Sequence, residues 1–458
     1  MKEQNNKLWE TRIKPLFRSE ILEFRVETLF YSGRYTNLDN AATTSPFKTV
    51  EDAVKTAIVE YGSVHRGSGQ KSKLSTDKYE NARETVRKFV GASPKNYAVF
   101  TKNTTEAINQ AASLLSAISG KVLVSDIEHS SNLLPWLKNG DVVQYQTKID
   151  GTLHVEEVER SLKENSDIKL VSITGSSNVT GYKPPIHKLA RIAHKHGARV
   201  LVDACQLVPH AKINVKQDDS PEHIDFVTFS GHKMYAPFGS GVLIGPKEFF
   251  DGVMPYQIGG GNLPYITRDL QVKRFETVRA HDPGTPNALG AIAMAEAIRT
   301  LEEIGFDNIQ DYEEDLVRRA YAKLRRLDSV IMHVKQENLG TVLPFEIKNL
   351  DSYLVAEILA QEYGIGVRAG SFCTYELLRK LKSVSDEQDR QISKEVDKGL
   401  TRNIPTLVRA SFGLVNNSDD VERLSNALKE ISQKKNSEYL ERYAQDDKTG
   451  RYSLRGEK

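Results

Sequence analysis

Short apolar, β-branched runs alternate with amphipathic stretches between about residues 36 and 310 of this 458-residue chain. The runs are KVLVSD (121–126), IKLVSIT (168–174), ARVLVDA (198–204), IDFVTFS (224–230) and GVLIG (241–245). Helical patterns lie between them, such as IHKLARIAHKHG, which Gly197 ends. This alternation predicts an α/β fold whose mostly parallel, doubly wound sheet carries helices on both faces.

The rest of the chain divides into further segments. Residues 1–35 are polar and predict an N-terminal helical arm, which precedes the large domain at 36–310. Residues 311–435 predict a smaller α+β C-terminal domain, because the strand candidates TVLPFEIK, GIGVRAG and TLVRASF are separated by helical patterns. Within it, the charged stretch 382–399 is expected to be an exposed insertion, and the polar residues 436–458 a flexible tail.

Charge and cysteine content limit the classes of partner. Lys and Arg total 63 against 61 Asp and Glu, a balance that favours neither nucleic acid nor a membrane surface as a partner. The two cysteines, Cys205 and Cys373, cannot form a disulfide framework and suit a reducing compartment. With no apolar run of membrane-spanning length and no signal-like start, the chain is expected to be cytoplasmic.

Two charged residues follow predicted strands at the edge where open α/β sheets bind ligands. Lys233 lies on the turn SGHK after IDFVTFS, where a desolvated amine could attack an aldehyde. Asp203 ends ARVLVDA, where a buried carboxylate needs a cationic partner such as a pyridinium nitrogen. Taken singly, the lysine could equally be a solvated surface residue, and the aspartate a helix cap or half of an internal ion pair.

Three further positions could complete a cofactor site. Thr104 and Thr105 begin the helical segment NTTEAINQAASLLSAI, whose free N–H groups could bind a phosphate, although the pattern also suits simple capping. His129 follows KVLVSD and could lie against an aromatic cofactor or fill a polar pocket. Asn178, in the turn GSSNVTG, could donate to a phenolate oxygen or serve the turn itself. Aldehyde, pyridine nitrogen, phosphate and ring face thus each have a candidate partner, and together they predict pyridoxal phosphate.

The order and spacing of these residues resemble the class V aminotransferase family, and most closely its cysteine desulfurase and selenocysteine lyase branch. The matching segments run from about residue 37 to 433 and are NLDNAATTSP, SVHRG, TTEAIN, EHSSNLLPW, SNVTG, VDACQLVPH, SGHKMYAPFGSGVLIG, PGTPN, VRAGSFC and VRASFG. The resemblance implies that the large domain has the fold type I of pyridoxal-phosphate transferases, and that the protein is a homodimer.

The resemblance also implies individual roles in the cofactor site. Lys233 would be the Schiff-base lysine and Asp203 the pyridinium partner, while His129 would stack on the ring. Asn178 and Gln206 would contact its phenolic oxygen side. The residues implied to hold the phosphate are Thr105, Ser230, His232 and, from a second subunit, Thr285.

The implied reaction converts L-cysteine to L-alanine. Arg409, in VRASFG, would grip the substrate carboxylate, a role suited to its bidentate fork, and Arg368 would assist. Lys233 would remove the Cα proton and Cys373 would attack the substrate sulfur, leaving a protein persulfide for a sulfur-acceptor protein. Cys205 is interpreted as a small buried hydrophobe.

Alternatives remain open at this point. Cys373 lies in GSFCTYELL, whereas the desulfurase branch usually has His before the cysteine and Pro soon after it. The chain could therefore be another class V enzyme, a selenocysteine or other C–S lyase, an epimerase or an aminotransferase, in which Cys373 is not the nucleophile. A nucleotide-binding module is disfavoured because no G-x-G-x-x-G opens a helix after a strand. No metal site is predicted, since the histidines of HKH (194–196) diverge around a helix.

Overall fold

The alternating segments form a layered structure, which this computed structural model describes for residues 2–456. The strands are β1 (Arg25–Glu27), β2 (Ser32–Arg34), β3 (Thr36–Asn37), β4 (Asn96–Thr101), β5 (Lys121–Ser125), β6 (Val142–Tyr145), β7 (Ile168–Thr174), β8 (Arg199–Asp203), β9 (Phe226–Ser230), β10 (Gly241–Pro246), β11 (Tyr265–Ile266), β12 (Val272–Lys273), β13 (Val330–Met332), β14 (Val342–Ile347), β15 (Ile365–Gly366), β16 (Arg368–Gly370), β17 (Leu407–Ser411), β18 (Tyr443–Gln445) and β19 (Tyr452–Leu454). The α-helices are α1 (Lys2–Leu8), α2 (Ser19–Leu22), α3 (Lys48–Val59), α4 (Gln70–Phe89), α5 (Thr104–Leu115), α6 (Leu134–Asn139), α7 (Val155–Glu164), α8 (Ile186–Lys195), α9 (Ala288–Ile304), α10 (Phe306–Leu324), α11 (Ser352–Tyr363), α12 (Tyr375–Leu381), α13 (Asp386–Val396), α14 (Ser418–Gln433) and α15 (Asn436–Arg442).

The central sheet has seven strands in the order β4–β10–β9–β8–β7–β5–β6. Strands β5 to β9 pair in parallel, and only β10 runs against its neighbours β4 and β9. Parallel neighbours need long crossovers, and α8 supplies one of them between β7 and β8. The predicted α/β fold with a mostly parallel sheet is confirmed.

Side chains of one strand alternate between two apolar layers, one on each face of the sheet. In β8, Leu201 packs in the cluster that contains Ile108 of α5, whereas Val200 and Val202 belong to the larger cluster on the opposite face. This alternation follows from the two-residue period of a strand. Both faces are therefore covered by helices, and the carboxyl ends of the strands form the edge at which a ligand can bind.

A second, antiparallel sheet organises the C-terminal part of the chain. Its strand order is β13–β14–β17–β16, and α11 and α14 accompany it. Asp351 caps α11 by accepting a hydrogen bond from the Tyr353 N–H at 2.8 Å, and Gly364 ends the helix with a left-handed φ of 61°. The domain boundary expected at residue 310 falls inside α10, so no break in the backbone marks it.

The two ends of the chain pack on the body of the protein. Trp9 and Phe17 of the N-terminal arm are buried in the main core, and Trp9 stacks on Tyr312 of α10 with 6.0 Å between ring centroids. The tail does not match the flexible segment expected from its composition, because α15 and the β18–β19 hairpin bury Tyr439 and Tyr443. The tail is polar on average, so its composition does not reveal the apolar face that these aromatic side chains form.

The charged stretch 382–399 holds α13, an amphipathic helix with no buried residue. Ser385 caps it in a capping box with Gln388. Among residues 2–456, no helix is both long enough and apolar enough to cross a membrane.

Candidate active site

One cleft at the carboxyl ends of β7, β8 and β9 brings together all the predicted site residues except Thr285. Those that line it are Thr104, Thr105, His129, Asn178, Asp203, Gln206, Ser230, His232, Lys233, Arg368, Cys373 and Arg409. Thr285 lines a neighbouring cleft that also contains Lys102 and Glu106, close to the start of α5. Residues far apart in sequence thus meet at the sheet edge that the strand pattern indicated.

Lys233 is carried by a 3₁₀ turn, Gly231–Lys233, that directly follows β9. The Gly231 N–H donates to the Ser240 carbonyl at 2.8 Å, which fixes the turn against the start of β10. The hydroxyl of Thr43 and the N–H of Thr44 both donate to the His232 carbonyl at 2.9 Å. The turn is thereby bonded on two sides and carries the Lys233 amine into the cleft.

Asp203 ends β8 as a buried carboxylate, and its Oδ1 accepts a hydrogen bond from the Cys205 N–H at 3.0 Å. Burial raises the pKa of Asp203, while that hydrogen bond and the charge of Lys233 act in the opposite direction. An ionised carboxylate at this depth requires a cationic partner. A protonated pyridine nitrogen is such a partner.

The start of α5 forms an anion-binding end of the cleft. Asn103 caps the helix, and its Oδ1 accepts a hydrogen bond from the Glu106 N–H at 2.9 Å. At Gly241, the first residue of β10, a Cβ atom would lie 2.5 Å from the Asn103 carbonyl carbon. Glycine at this position therefore allows the helix start to approach the sheet edge, where its N–H groups and dipole favour a phosphate.

Hydroxyl groups surround this helix start. Ser230 Oγ accepts a hydrogen bond from the Thr104 N–H at 2.7 Å and lies 2.7 Å from Thr104 Oγ1. Thr105 Oγ1 lies 2.7 Å from Ser131 Oγ. Burial, and secondarily the charge of Lys233, lower the pKa of His232 to about 4, so its ring is neutral at pH 7. These groups offer hydrogen bonds to a phosphate without adding a fixed charge.

His129 lies at the entrance to the 3₁₀ turn Ser130–Asn132. Its Nδ1 accepts a hydrogen bond from the Ser131 N–H at 3.1 Å, which places the proton of the neutral ring on Nε2. Burial lowers the pKa of His129 to about 4, with smaller contributions from Lys233 and Arg409. A neutral, oriented imidazole of this kind is suited to lie against an aromatic ring.

Two arginines line one side of the cleft, and one aspartate pairs with both of them. Arg368 of β16 and Arg409 of β17 are direct partners across the strand pair. Asp39 Oδ1 lies 3.1 Å from Arg409 Nη2, and Asp39 Oδ2 lies 3.7 Å from Arg368 Nη1. The buried Arg409 guanidinium also lies 4.8 Å from the centre of the Phe372 ring, and its Nε has no hydrogen-bond partner among the described residues. This arrangement can bind a carboxylate.

The loop with Cys373 is held in an unusual conformation. Phe372 and Cys373 have left-handed φ values of 54° and 55°, which non-glycine residues rarely adopt in succession. Asn178 Nδ2 donates to the Phe372 carbonyl at 2.8 Å, and Asn178 Oδ1 accepts from the Thr374 hydroxyl at 2.9 Å. The Ser130 N–H donates to the Cys373 carbonyl at 2.7 Å. These bonds hold an exposed Cys373 at the cleft, whereas Cys205 also lines the cleft but is buried.

The chemistry of the cleft fits pyridoxal phosphate at three separate points: an amine, a buried carboxylate that needs a cation, and a helix start that can bind an anion.

Asn178 and Gln206, which are predicted to contact the phenolic oxygen, line the cleft but also form hydrogen bonds with the protein. Gln206 Nε2 donates to the Ala41 carbonyl at 2.7 Å, and each of the two amides keeps a second N–H for another acceptor.

Sequence reasoning assigned no role to Asp39, Phe372 or Ser130. Asp39 lies in the segment NLDNAATTSP, whose resemblance to the family implies no role for its aspartate. Ser130 bonds to Cys373 across 243 residues, Phe372 accepts from Asn178 across 194 residues, and no local pattern encodes such pairings. Their roles became visible only through the three-dimensional structure.

Comparison with known proteins is consistent with this geometry. Residues 36–424 match the family model Aminotransferase class-V. A probable cysteine desulfurase of Halalkalibacterium halodurans is 35% identical over 407 residues, which cover 86% of this chain and 93% of that relative. A probable cysteine desulfurase of Staphylococcus aureus is 33% identical over 417 residues, or 87% of this chain and 92% of that relative.

Solved structures of similar fold carry related names. The chain resembles the apo structure of a cysteine desulfurase from Thermococcus onnurineus NA1 with a TM-score of 0.77 and 32% identity, over 87% of this chain and 95% of that one. The Escherichia coli cysteine desulfurase CsdA matches with a TM-score of 0.73 and 28% identity, over the same shares.

Proposed function

The chain belongs to the class-V aminotransferase family and to its cysteine desulfurase branch, and on this premise we propose that it converts L-cysteine to L-alanine with pyridoxal phosphate. The sulfur would pass to Cys373. The observation that carries the proposal is that Cys373 lies in the same cleft as Lys233 and Arg409. The thiol, the amine and the carboxylate-binding cation that this reaction needs are thereby in one place.

Each part of the cofactor has a protein group to hold it. The Lys233 amine would hold the aldehyde carbon, and Asp203 would pair with the protonated ring nitrogen. The start of α5, with Thr105 and Ser230, would bind the phosphate. When bound, pyridoxal phosphate serves as an electron sink that stabilises negative charge on the substrate Cα.

Arg409 and Lys233 would act on the amino acid itself. Arg409 would bind the substrate carboxylate, in competition with Asp39, and so fix the Cα position. Lys233 Nζ would remove the Cα proton and return a proton to the product. His129, neutral at working pH, would keep the ring oriented without placing a second cation beside Lys233.

Cys373 would receive the sulfur in a balanced transfer. Its thiolate attacks the substrate sulfur, a sulfur–sulfur bond forms, and the bond between the substrate Cβ and sulfur breaks with its electron pair left on the carbon side. Protonation of that carbon gives L-alanine. L-cysteine and the enzyme thiol are thus converted to L-alanine and an enzyme persulfide, with no external oxidant or reductant.

The direct experiment is to incubate the purified holoprotein with L-cysteine and dithiothreitol, and to measure alanine and sulfide together. We expect the two products in equal amounts, because each turnover releases one alanine and the reductant releases one sulfide. Mass spectrometry without reductant should find an extra sulfur on the peptide that contains Cys373.

The matched variants are Cys373→Ser and Cys205→Ser. Cys373→Ser should lose sulfide release by at least about 100-fold while it retains the cofactor absorption band, because the nucleophile is absent but the cofactor contacts are intact. Cys205→Ser should retain activity. Unimpaired turnover in Cys373→Ser would instead identify another class V reaction, of which selenocysteine lysis is the first to assay.

We also propose that the active unit is a homodimer in which Thr285 reaches the phosphate of the other subunit. Thr285 lies outside the cleft that contains Lys233, beside the start of the same helix α5. Nearby exposed apolar side chains offer a surface for subunit contact; they are Met254, Tyr256, Ile258, Tyr265, Ile266, Leu270 and Val272. Analytical ultracentrifugation should give twice the chain mass of 51.4 kDa, and a monomer would contradict the proposal.

The product persulfide would leave on a sulfur-acceptor protein in a reducing cytoplasm. The exposure of Cys373 permits such transfer, and both cysteines are free thiols. Transfer of labelled sulfur from the loaded enzyme to a candidate acceptor thiol would support this step.

A further inference from the structure

A group of two histidines and one aspartate lies at the amino-terminal edge of the central sheet, opposite the proposed active-site cleft. His194 is in the last turn of α8, while His223 and Asp225 come directly before β9. One ligand atom from each of the three lies within 4.8 Å of the other two. The imidazole rings of His194 and His223 stack with 4.1 Å between centroids.

Hydrogen bonds define which ring nitrogens carry protons. His194 Nδ1 lies 3.0 Å from the Pro221 carbonyl oxygen, and His223 Nδ1 lies 2.7 Å from the Ser220 carbonyl oxygen. A carbonyl oxygen can only accept, so both Nδ1 atoms must donate. In the neutral rings, both Nε2 atoms therefore present lone pairs.

These lone pairs face a carboxylate. His194 Nε2 is 2.9 Å from Asp225 Oδ2, and His223 Nε2 is 3.3 Å from Asp225 Oδ1. Such a contact requires a cation between nitrogen and oxygen, which is either a second proton on the ring or a metal ion. Among residues 2–456, no Lys or Arg forms an ion pair with Asp225, and the nearby Lys216 and Arg191 are both paired with Glu222.

We propose that His194, His223 and Asp225 bind a divalent transition-metal ion of the Zn²⁺ class. Imidazole nitrogen and carboxylate oxygen are ligands that this class prefers. Ligands placed 2.0–2.1 Å from a tetrahedral ion are roughly 3.4 Å apart. The two Nε2 atoms lie 2.9 and 3.3 Å from the oxygens of Asp225, which is close to that spacing. Metal-binding histidines usually donate their other ring N–H to a carbonyl or carboxylate, which orients the ring. The bonds from both Nδ1 atoms to backbone carbonyls would do this here.

The position of the group indicates a structural ion. Asp225 Oδ2 also accepts the Val200 N–H at 2.8 Å, so the group already connects β8 to the segment before β9. His194 bonds the end of α8 to the same segment through the Pro221 carbonyl, and a bound ion would strengthen this connection. The sequence did not reveal the site because its ligands come from segments about 30 residues apart, whereas His196 of the same HKH motif diverges toward Glu159.

The experiment uses the full-length holoprotein, stripped by chelator dialysis and then equilibrated with Zn²⁺. We expect one high-affinity Zn²⁺ per chain by equilibrium dialysis with elemental analysis, and at least tenfold weaker binding in His223→Ala. His196→Ala and Cys373→Ser should bind as the unaltered protein does. Equal binding in His223→Ala, or its loss in Cys373→Ser, would place the ion elsewhere and overturn the proposal.

Cu²⁺ provides a second readout that survives a partial loss of stability in the variants. Its electron paramagnetic resonance spectrum should show coupling to two imidazole nitrogens in the unaltered protein and to one in His223→Ala. A spectrum without nitrogen coupling would overturn the proposal, and the two rings would then share only protons with Asp225.

Discussion

Asp39 Oδ1 accepts a hydrogen bond at 3.1 Å from Nη2 of Arg409, the residue that is proposed to bind the substrate carboxylate. Asp39 therefore neutralises Arg409 in the free protein and must share or yield this contact when an amino acid binds. We expect Asp39→Asn to lower the free energy of unfolding by about 1–3 kcal/mol, because the buried guanidinium loses a charged hydrogen-bond partner. The KM for L-cysteine should fall roughly fivefold, or about 1 kcal/mol, because the substrate no longer competes with an internal carboxylate.

Thermal unfolding and steady-state kinetics measure both effects. Asp52→Asn is the matched control, since Asp52 pairs with Arg18 on the surface. An unchanged KM in Asp39→Asn would show that the substrate does not compete with this carboxylate.

Arg409→Lys tests whether Arg409 itself binds the substrate carboxylate. Lysine keeps the charge but cannot present two parallel N–H groups. We expect the KM for L-cysteine to rise about 10–100-fold, equivalent to about 1.4–2.8 kcal/mol. Arg368→Lys should have a smaller effect because its side chain is half exposed and lies farther from Asp39. If the two variants were equally impaired, Arg409 would not be the main anchor.

Lys233→Ala should remove covalent retention of the cofactor. Borohydride reduction of the unaltered holoprotein should fix pyridoxal phosphate to the peptide with Lys233, as read by mass spectrometry. In Lys233→Ala the cofactor should exchange out on dialysis, and alanine formation should fall by about 10²–10⁴-fold, since the group that moves the Cα proton is absent. The exposed Lys212 provides the control variant, Lys212→Ala, which should behave as the unaltered protein. If borohydride reduction still fixed the cofactor to a peptide of the Lys233→Ala variant, the assignment of Lys233 as the Schiff-base lysine would be wrong.

The neutral His129 ring predicts a pH dependence of stability. Its pKa in the folded protein, about 4, lies below the 6.5 of an unfolded histidine, chiefly through burial. Unfolding then takes up a proton, so the stabilisation is complete above pH 6.5 and is lost as the pH falls toward 4. The loss between pH 7 and pH 4 should be about 3 kcal/mol.

His129→Asn preserves an acceptor for the Ser131 N–H and cannot titrate. In urea titrations of the cofactor-free protein between pH 4 and 7, it should show a flatter decline in unfolding free energy than the unaltered protein. His154→Asn, at an exposed position, should not. Parallel curves for the unaltered protein and His129→Asn would mean that the ring titrates normally.

Asn178 is expected to control access to the cysteine. Asn178→Ala removes both side-chain hydrogen bonds to the Phe372–Thr374 segment. The left-handed backbone conformation of Phe372 and Cys373 therefore loses support. We expect Cys373 to react with iodoacetamide several-fold faster and sulfide release to fall about tenfold, because the thiol is less well positioned. Asn165→Ala, at the end of α7, is the control. An unchanged rate of Cys373 alkylation would show that the Asn178 hydrogen bonds do not restrain the loop.

The fold was predictable where the sequence pattern is local. The β-branched runs at 168–174 and 198–204 became β7 and β8, and the strand-end positions of Lys233 and Asp203 placed both in one cleft. Contacts between distant segments were not predictable: the hydrogen bond from Ser130 to Cys373 and the pairing of Asp39 with Arg409 depend on how the smaller sheet sits against the large one. The burial of Tyr439 and Tyr443 in the tail was not predicted, because average composition does not show whether apolar side chains share one face.

The absence of a side chain at Gly241 allows the first turn of α5, where the phosphate is proposed to bind, to lie against the start of β10. A methyl group there would displace the first turn of α5 from the sheet, and the hydroxyls of Thr104 and Ser230 would separate with it. Position 241 is thus a compact diagnostic for related chains: those that carry a larger residue in register with it should have lost tight cofactor retention even if their lysine and aspartate persist.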